Sequence, residues 1–305
     1  MKVIILAGGG GSRLFPLSRQ SYPKQFLCLE DDKSLLAHTV ERFLSFVSAQ
    51  DILIVTNEQY RYHVEHELAE CHAENAHIIL EPVGRNTAPA IALAASFCEA
   101  RLDCLPDELL LVAAADHVIR PQDAFEDCIL RAEQVATGNA LVTFGIQATL
   151  PKTGYGYIEA GASDGLSCTV ISFKEKPDAA TAAQYVAAGN YYWNSGMFAF
   201  RLGTLWQELA LYEPDILKVL QDGYDAAIAR FTEMPDISID YAVAERSQKV
   251  RMLPLTCYWN DIGSWDAMYD ILPKDSNGNA LKGDCMAMGC HDSLIVGRDR
   301  LIAGI

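Results

Sequence analysis

Long apolar runs are missing from this chain: none approaches the roughly 20 residues that a membrane span needs. The short apolar stretch at its start runs straight into glycines and Arg13, too brief for the core of a secretory signal. Basic side chains are scarce as well. With 24 Lys and Arg against 40 Asp and Glu, the formal charge is −16, which argues against general nucleic-acid binding but not against a small anion held in a locally basic pocket. The nine cysteines form no Cys-x-x-Cys pair and no Cys/His ligand spacing; they read as reduced thiols, many of them in the core, of a cytoplasmic protein. No internal repeat and no low-complexity segment occurs. Half of the 305 residues are apolar, enough to bury one large α/β domain with at most a small appendage.

What is present begins at the N-terminus. Val3 to Ala7 has the length and residue types of a buried parallel strand. It stops at Gly8, Gly9, Gly10 and Gly11, where backbone can approach a ligand closely and N–H groups can converge on an anion. Arg13, Arg19 and Lys24 follow, and no acidic residue occurs before Glu30. In so acidic a chain, that local reversal of sign points to a bound polyanion. Two familiar phosphate loops do not fit. A P-loop needs Gly-Lys-Ser/Thr where this stretch has Gly11-Ser12-Arg13, and the third glycine of the dinucleotide fingerprint is replaced by Arg13.

Further along, strands and helices alternate. Ser34 is placed to cap a helix carrying Leu36, Val40, Phe43 and Val47, and Ile52 to Thr56 reads as a second strand. Glu58 to His72 reads as a polar helix. Its His63 and His66 lack an Asp or Cys to complete a metal shell, so a solvated face is the better reading. Ile78 to Leu80 is a third strand; Glu81 stands at its end, and Asn86 or Thr87 caps the helix that follows. A glutamate there can accept the two adjacent N–H donors on guanine's Watson–Crick edge. Leu109 to Ala113 leads into Asp116, placed to hold Mg²⁺ against bound phosphates. Asp123 to Gly138 reads as a helix and Leu141 to Gly145 as a strand, and the alternation predicts a parallel sheet with helices on both faces. The rhythm then changes. Strands at Gly154 to Glu159 and Thr169 to Phe173 precede Lys174-Glu175-Lys176-Pro177, a helix over Ala179 to Ala188, and Trp193 to Phe198. This third offers Gly156 for close backbone approach, Glu175 and Asn194 for hydroxyls, and Lys176 as a cation. Leu202 to Phe231 reads as helical with a break at Glu213-Pro214.

The string Leu6 to Leu27, with Pro23-Lys24-Gln25-Phe26 at its end, resembles the signature of sugar-1-phosphate nucleotidyltransferases. In its Tyr22-Pro23-Lys24-Gln25-Phe26 form it is similar to the mannose-1-phosphate guanylyltransferase branch. Departures are Phe15 for a usual Trp, Ala114 for the proline of Pro-Ala-Asp-His, and Lys174 for an apolar residue before Glu-Lys-Pro. The resemblance implies a Rossmann-like α/β fold: a mixed, mostly parallel sheet flanked by helices in a catalytic domain over residues 1–273. Residues 274–305 would begin a small β-helix of the kind that helps relatives dimerise, so a homodimer is expected. That element stops early, so the chain reads as a shortened piece or a short member of the family.

The resemblance also implies roles. Leu6, Ala7, Gly8, Gly9, Gly10, Gly11, Ser12 and Arg13 would line a nucleotide, with Glu81, Asn86, Thr87 and Ala88 at its base. Gly156, Glu175, Lys176 and Asn194 would take the sugar phosphate. Asp116 and Asp261 would clamp Mg²⁺, and Arg13, Lys24 and Lys176 would be the catalytic cations, Lys24 as a mobile point charge. Ser238 to Ala242 also matches the family but reads adequately as a packed helix start, and Trp259 and Trp265 read as packing. The implied reaction joins GTP and mannose 1-phosphate into GDP-mannose and pyrophosphate, with no nucleic-acid or membrane partner. The alternatives are another sugar-1-phosphate nucleotidyltransferase, using dTTP or UTP and glucose 1-phosphate, and a non-catalytic nucleotide-sugar sensor.

Overall fold

The computed structural model describes residues 1–305. Its first half alternates as β1 (Lys2–Leu6), α1 (Leu35–Leu44), β2 (Ile52–Asn57), α2 (Arg61–Glu70), β3 (His77–Glu81), α3 (Thr87–Leu102) and β4 (Leu109–Ala114). The β1 and β2 strands carry unbroken apolar runs, Val3 to Leu6 and Ile52 to Val55, because both faces of the sheet are covered. Val3 and Ile5 enter one large core cluster, with Val40, Phe43 and Phe125, while Ile4 enters another, with Ile91, Leu110 and Phe198. The helix α1 begins where Ser34 Oγ accepts from the Ala37 N–H (3.0 Å), and α3 where Asn86 Oδ1 accepts from the Thr87 N–H (3.0 Å). Every residue of α3 from Ala88 to Ser96 is buried, as its apolar circumference requires.

The chain continues through β5 (Val118–Arg120), α4 (Gln122–Ala136), β6 (Leu141–Gln147), β7 (Tyr157–Ser163), β8 (Cys168–Lys174), α5 (Ala179–Ala188), β9 (Tyr191–Arg201), α6 (Leu202–Tyr212), α7 (Pro214–Leu220), α8 (Tyr224–Ala229) and β10 (Val250–Pro254). Nine strands form one sheet in the order β3-β2-β1-β4-β9-β6-β10-β8-β7. Only β8 and β9 run against the others, so the sheet is mixed and mostly parallel, as expected. The chain leaves β1 toward β2 and β3 on one side and returns to β4 on the other. Leu6 and Ala114 therefore end up side by side, and a crevice opens beyond the carboxyl ends of β1 and β4.

Three stretches depart from the sequence reading. The helix expected over Glu58 to His72 is a short 3₁₀ turn followed by α2, and His63 packs on the rings of Phe26 (4.9 Å) and Tyr22 (5.7 Å) instead of facing solvent. Beyond the expected Glu213-Pro214 break the run from Leu202 has a second one: α7 stops at Leu220, and Gly223, with a positive φ of 93°, precedes α8. Residues Asp240–Ala244 form a π-helical turn.

The last segment holds β11 (Tyr258–Asn260), which pairs with β5, then α9 (Trp265–Ile271) and four short strands: β12 (Ala280–Lys282), β13 (Cys285–Ala287), β14 (Leu294–Val296) and β15 (Ile302–Gly304). The parallel pairs β12–β14 and β13–β15 stack as in the start of a coiled β-solenoid. This segment shares an apolar cluster with the front of the molecule: Ala280, Leu294 and Val296 pack with Leu14, Val118, Ile262 and Met268. All nine cysteines are free, and Cys71, Cys98, Cys128 and Cys257 are buried. No helix is long and apolar enough to cross a membrane.

Candidate active site

A cavity of about 550 Å³ occupies the crevice beyond β1 and β4. It brings together residues from every stretch singled out in the sequence: Leu6, Ala7, Gly8, Gly9, Gly11, Arg13 and Lys24, then Glu81, Asn86 and Thr87, then Asp116, Gly156, Glu175, Asn194 and Asp261. Four expected residues do not line it. Gly10 and Ser12 are exposed on the outer side of the loop. Ala88 is fully buried, and its N–H donates to the Ile237 carbonyl (3.1 Å), so neither its amide nor its methyl faces the cavity. Lys176 stays at the rim, its side chain 59% exposed and its Nζ 2.5 Å from Glu175 Oε1.

The glycine loop is tied down through its carbonyls. Gln25 Nε2 donates to the carbonyls of Ala7 (2.9 Å) and Gly9 (3.3 Å), and Asn57 Nδ2 donates to that of Gly8 (3.0 Å). The N–H groups of Gly8 to Gly11 have no partner in the chain, which leaves them available to an anion. Glycine is required at 11, where φ is +46° and a Cβ would lie 2.6 Å from the Lys24 backbone nitrogen.

The structure corrects the expectation that Lys24 is a mobile point charge. It is 5% exposed, its Nζ lies 2.8 Å from Asp116 Oδ2, and it also donates to the Asp261 carbonyl. Burial alone would raise the Asp116 carboxyl, but Lys24 and then His117 outweigh it and hold the group below the usual carboxylate range. Arg13, by contrast, is exposed and makes no ion pair, so its planar fork is free for a ligand. The short pairing of β5 with β11 carries Asp116-His117 and Asn260-Asp261 to the same wall. There Trp259 Nε1 donates to His117 Nδ1 (3.2 Å), and Asp261 Oδ1 accepts from the Tyr155 hydroxyl (2.8 Å) and the Gly263 N–H (3.1 Å). Burial pulls the His117 imidazole below its ordinary range, against the opposing pull of Asp116.

On the opposite wall Glu81 is 5% exposed and accepts no hydrogen bond from the chain. Burial pushes its carboxyl up from an ordinary 4.5 to about 7. The folded chain thus keeps this proton to higher pH than the unfolded chain. Glu81 weighs increasingly against folding as pH rises from about 4.5 to about 7, and by a constant amount above that. In chemical unfolding of the ligand-free protein from pH 4.5 to 8, wild type should lose up to about 3 kcal/mol relative to Glu81→Gln. Parallel pH curves for the two proteins would contradict this account.

At the far end Asn194 is the hub. Its Oδ1 accepts from Thr143 Oγ1 (3.0 Å) and the Gly196 N–H (3.1 Å), its Nδ2 donates to Asp240 Oδ1 (2.7 Å), and its backbone N–H donates to the Gly156 carbonyl (2.8 Å). A Cβ at Gly156 would collide with the Glu175 carboxylate, so glycine lets that carboxylate lie over the backbone. Burial, followed by the nearby Glu175, pushes Asp240 up to about 6. The sequence reading misses three residues here. Asp240 lies in the Ser238 to Ala242 string, whose helical pattern hides its inward side chain. Tyr155 reads only as part of a strand, which in the structure starts later, at Tyr157, and Gln25 only as part of a signature. Trp259 is buried as expected, yet it also lines the cavity; Trp265 packs against the C-terminal cluster.

Residues 2–278 match the family model described as nucleotidyl transferase. Among curated relatives, the alginate biosynthesis protein AlgA of Pseudomonas aeruginosa is 44% identical, aligned over 99% of this chain and 65% of its own length. The mannose-1-phosphate guanylyltransferase RfbM of Salmonella typhimurium is also 44% identical, with the same two coverages. The chain thus spans about 65% of the length of these relatives. A solved structure from Thermus thermophilus, described as a mannose-1-phosphate geranyltransferase, superposes with a TM-score of 0.91 at 30% identity, covering 100% of this chain and 89% of the other. A glycine loop beside the Asp116 strand end, matched by one family model from Lys2 to Gly278, leaves one assignment: this chain belongs to the nucleotidyl transferase family.

Proposed function

We propose that the protein transfers GMP from GTP to α-D-mannose 1-phosphate, releasing pyrophosphate and forming GDP-mannose. The observation that carries this reading is a single cavity with unpaired loop amides and a free arginine between two different ends: a lone buried carboxylate, Glu81, at one and the Asn194–Asp240–Glu175 group at the other. The similarity to a mannose-1-phosphate guanylyltransferase supports the choice of substrates.

The reaction needs no general base. A phosphate monoester with a second pKa near ~6 is already largely dianionic at neutral pH. Its oxygen attacks the α-phosphorus, and the bond to the departing pyrophosphate breaks in line. The difficulty is electrostatic, since two anions must meet while charge shifts to the leaving group, and fixed cations and donors answer it. The Gly8, Gly9 and Gly11 amides and the Arg13 fork would hold the triphosphate. Lys24, fixed between Asp116 and the Asp261 carbonyl, would act as a preorganised positive charge on the reacting phosphate. Lys176 at the rim would exchange Glu175 for the incoming sugar phosphate, while Asn194, Glu175 and Asp240 take sugar hydroxyls.

Asp116 and Asp261 both turn toward the cavity and offer hard carboxylate oxygens, the donor type Mg²⁺ takes, so the donor set fits that ion. Bound between these residues and a phosphate, Mg²⁺ would supply charge neutralisation at the α-phosphate.

A matrix of nucleoside triphosphates against sugar 1-phosphates, assayed for pyrophosphate release, tests the proposal. GTP with mannose 1-phosphate should lead the matrix. A clear preference for dTTP or UTP with glucose 1-phosphate would reassign the substrates, and tight GDP-mannose binding without any release would leave a sensor. In the same assay Glu81→Gln should reduce the preference for GTP over ATP by about 10-fold or more, because an amide presents one acceptor and a mismatched donor to guanine. Unchanged selectivity would take Glu81 out of base recognition.

A further inference from the structure

Between the two halves of the cavity, Tyr155 makes contacts that neither half accounts for. Its hydroxyl donates to Asp261 Oδ1 at 2.8 Å. Its ring stands edge-on to Trp193 (5.4 Å) and to Trp259 (5.5 Å), so the phenol is held in one orientation by packing on both sides. Its backbone carbonyl accepts from the Lys176 N–H (3.3 Å), and it directly precedes Gly156. Trp259 in turn donates to His117, the neighbour of Asp116. A continuous bracket, Tyr155–Trp259–His117, therefore runs behind the two aspartates. Asp261 needs such support. Its carboxylate has no cationic partner within ion-pairing distance, because Lys24 holds its main-chain carbonyl and pairs with Asp116 instead. The Tyr155 hydroxyl and the Gly263 N–H both act on Oδ1 and leave Oδ2 without a hydrogen-bond partner in the chain.

We propose that Tyr155 is a positioning residue: its hydroxyl fixes the Asp261 carboxylate so that the remaining oxygen faces the cavity as a cation ligand. The proposal rests on the nucleotidyltransfer reading for its purpose but not for its test. Without the hydroxyl, only the Gly263 N–H still holds Oδ1, so the carboxylate is less restrained about its last torsion and the donor must be re-ordered each time a cation binds.

The test is Tyr155→Phe, which keeps the ring between the two tryptophans and removes only the donor. Binding of Mn²⁺, used as a paramagnetic probe, is titrated by electron spin resonance in the presence of GTP and without sugar phosphate, so no turnover is involved. The expected result is an affinity about 10-fold weaker than wild type, with thermal unfolding nearly unchanged, in line with other deletions of groups that orient metal ligands. In a double-mutant cycle, Tyr155→Phe added to Asp261→Asn should weaken Mn²⁺ no further, since the hydroxyl acts through that carboxylate. Wild-type Mn²⁺ affinity in Tyr155→Phe would overturn the proposal, and so would an additive effect in the Asp261→Asn background. If wild type releases pyrophosphate with no substrate pair, the functional reading falls while the Mn²⁺ titration still decides the role of Tyr155.

Discussion

Lys24→Ala is expected to lower turnover in the proposed nucleotidyl transfer by about 10²–10³-fold, the usual cost of deleting one preorganised charge from a water-poor site. The size of the effect follows from where the ammonium sits. It is buried, and it is held by one carboxylate and one backbone carbonyl, so it needs no reorganisation when charge builds on the leaving phosphate. Alanine also leaves Asp116 without its main cation, but that side chain is 25% exposed and water can replace part of the loss. The stability cost should therefore be modest, about 1–2 kcal/mol after this discount. Steady-state kinetics on purified protein, with thermal unfolding alongside, separates the two effects. Turnover within a few-fold of wild type would remove Lys24 from the chemistry.

Asp116→Asn should be comparably damaging, by about 10²–10³-fold in turnover, for the complementary reason. Asparagine keeps the size of the side chain but loses the charge that pairs with Lys24 and the carboxylate that Mg²⁺ would need. The ammonium keeps the Asp261 carbonyl, so the fold should survive. Because the two residues touch, the double variant Lys24→Ala with Asp116→Asn should be much less impaired than the product of the single losses. Strictly multiplicative losses would mean that they act separately, and a fully active Asp116→Asn would exclude Asp116 as a metal ligand.

Much of this is legible in the sequence, for identifiable reasons. A strand that ends in four glycines, with no acidic residue before Glu30, reads as an anion loop, and Gly8, Gly9 and Gly11 do line the cavity. Asp116 and Glu81 can be read because each follows an apolar strand, and the carboxyl ends of parallel strands converge. What cannot be read is burial and pairing. Nothing in Pro23-Lys24-Gln25 says that the ammonium is enclosed, since that depends on Asp116 and Asp261 arriving from far along the chain. Ala88 is expected at the base, but its amide is used by the carbonyl of Ile237, a contact between distant parts of the chain. Asp240 stays hidden because a π-helical turn shifts which side chain points inward, and periodicity cannot show that shift.

The apolar cluster under the front of the molecule joins distant parts of the chain. Leu14 is the neighbour of Arg13, Ile262 that of Asp261, and Val118 lies just beyond Asp116 and His117; all three share one buried cluster with Ala280, and Leu294 and Val296 pack against it. The C-terminal strands therefore serve as a footing for the chemistry, not as ballast. Trimming them, or repacking Leu294 with a smaller side chain, would loosen the mounts of Arg13, Asp116 and Asp261 at once while leaving the residues that line the cavity chemically intact.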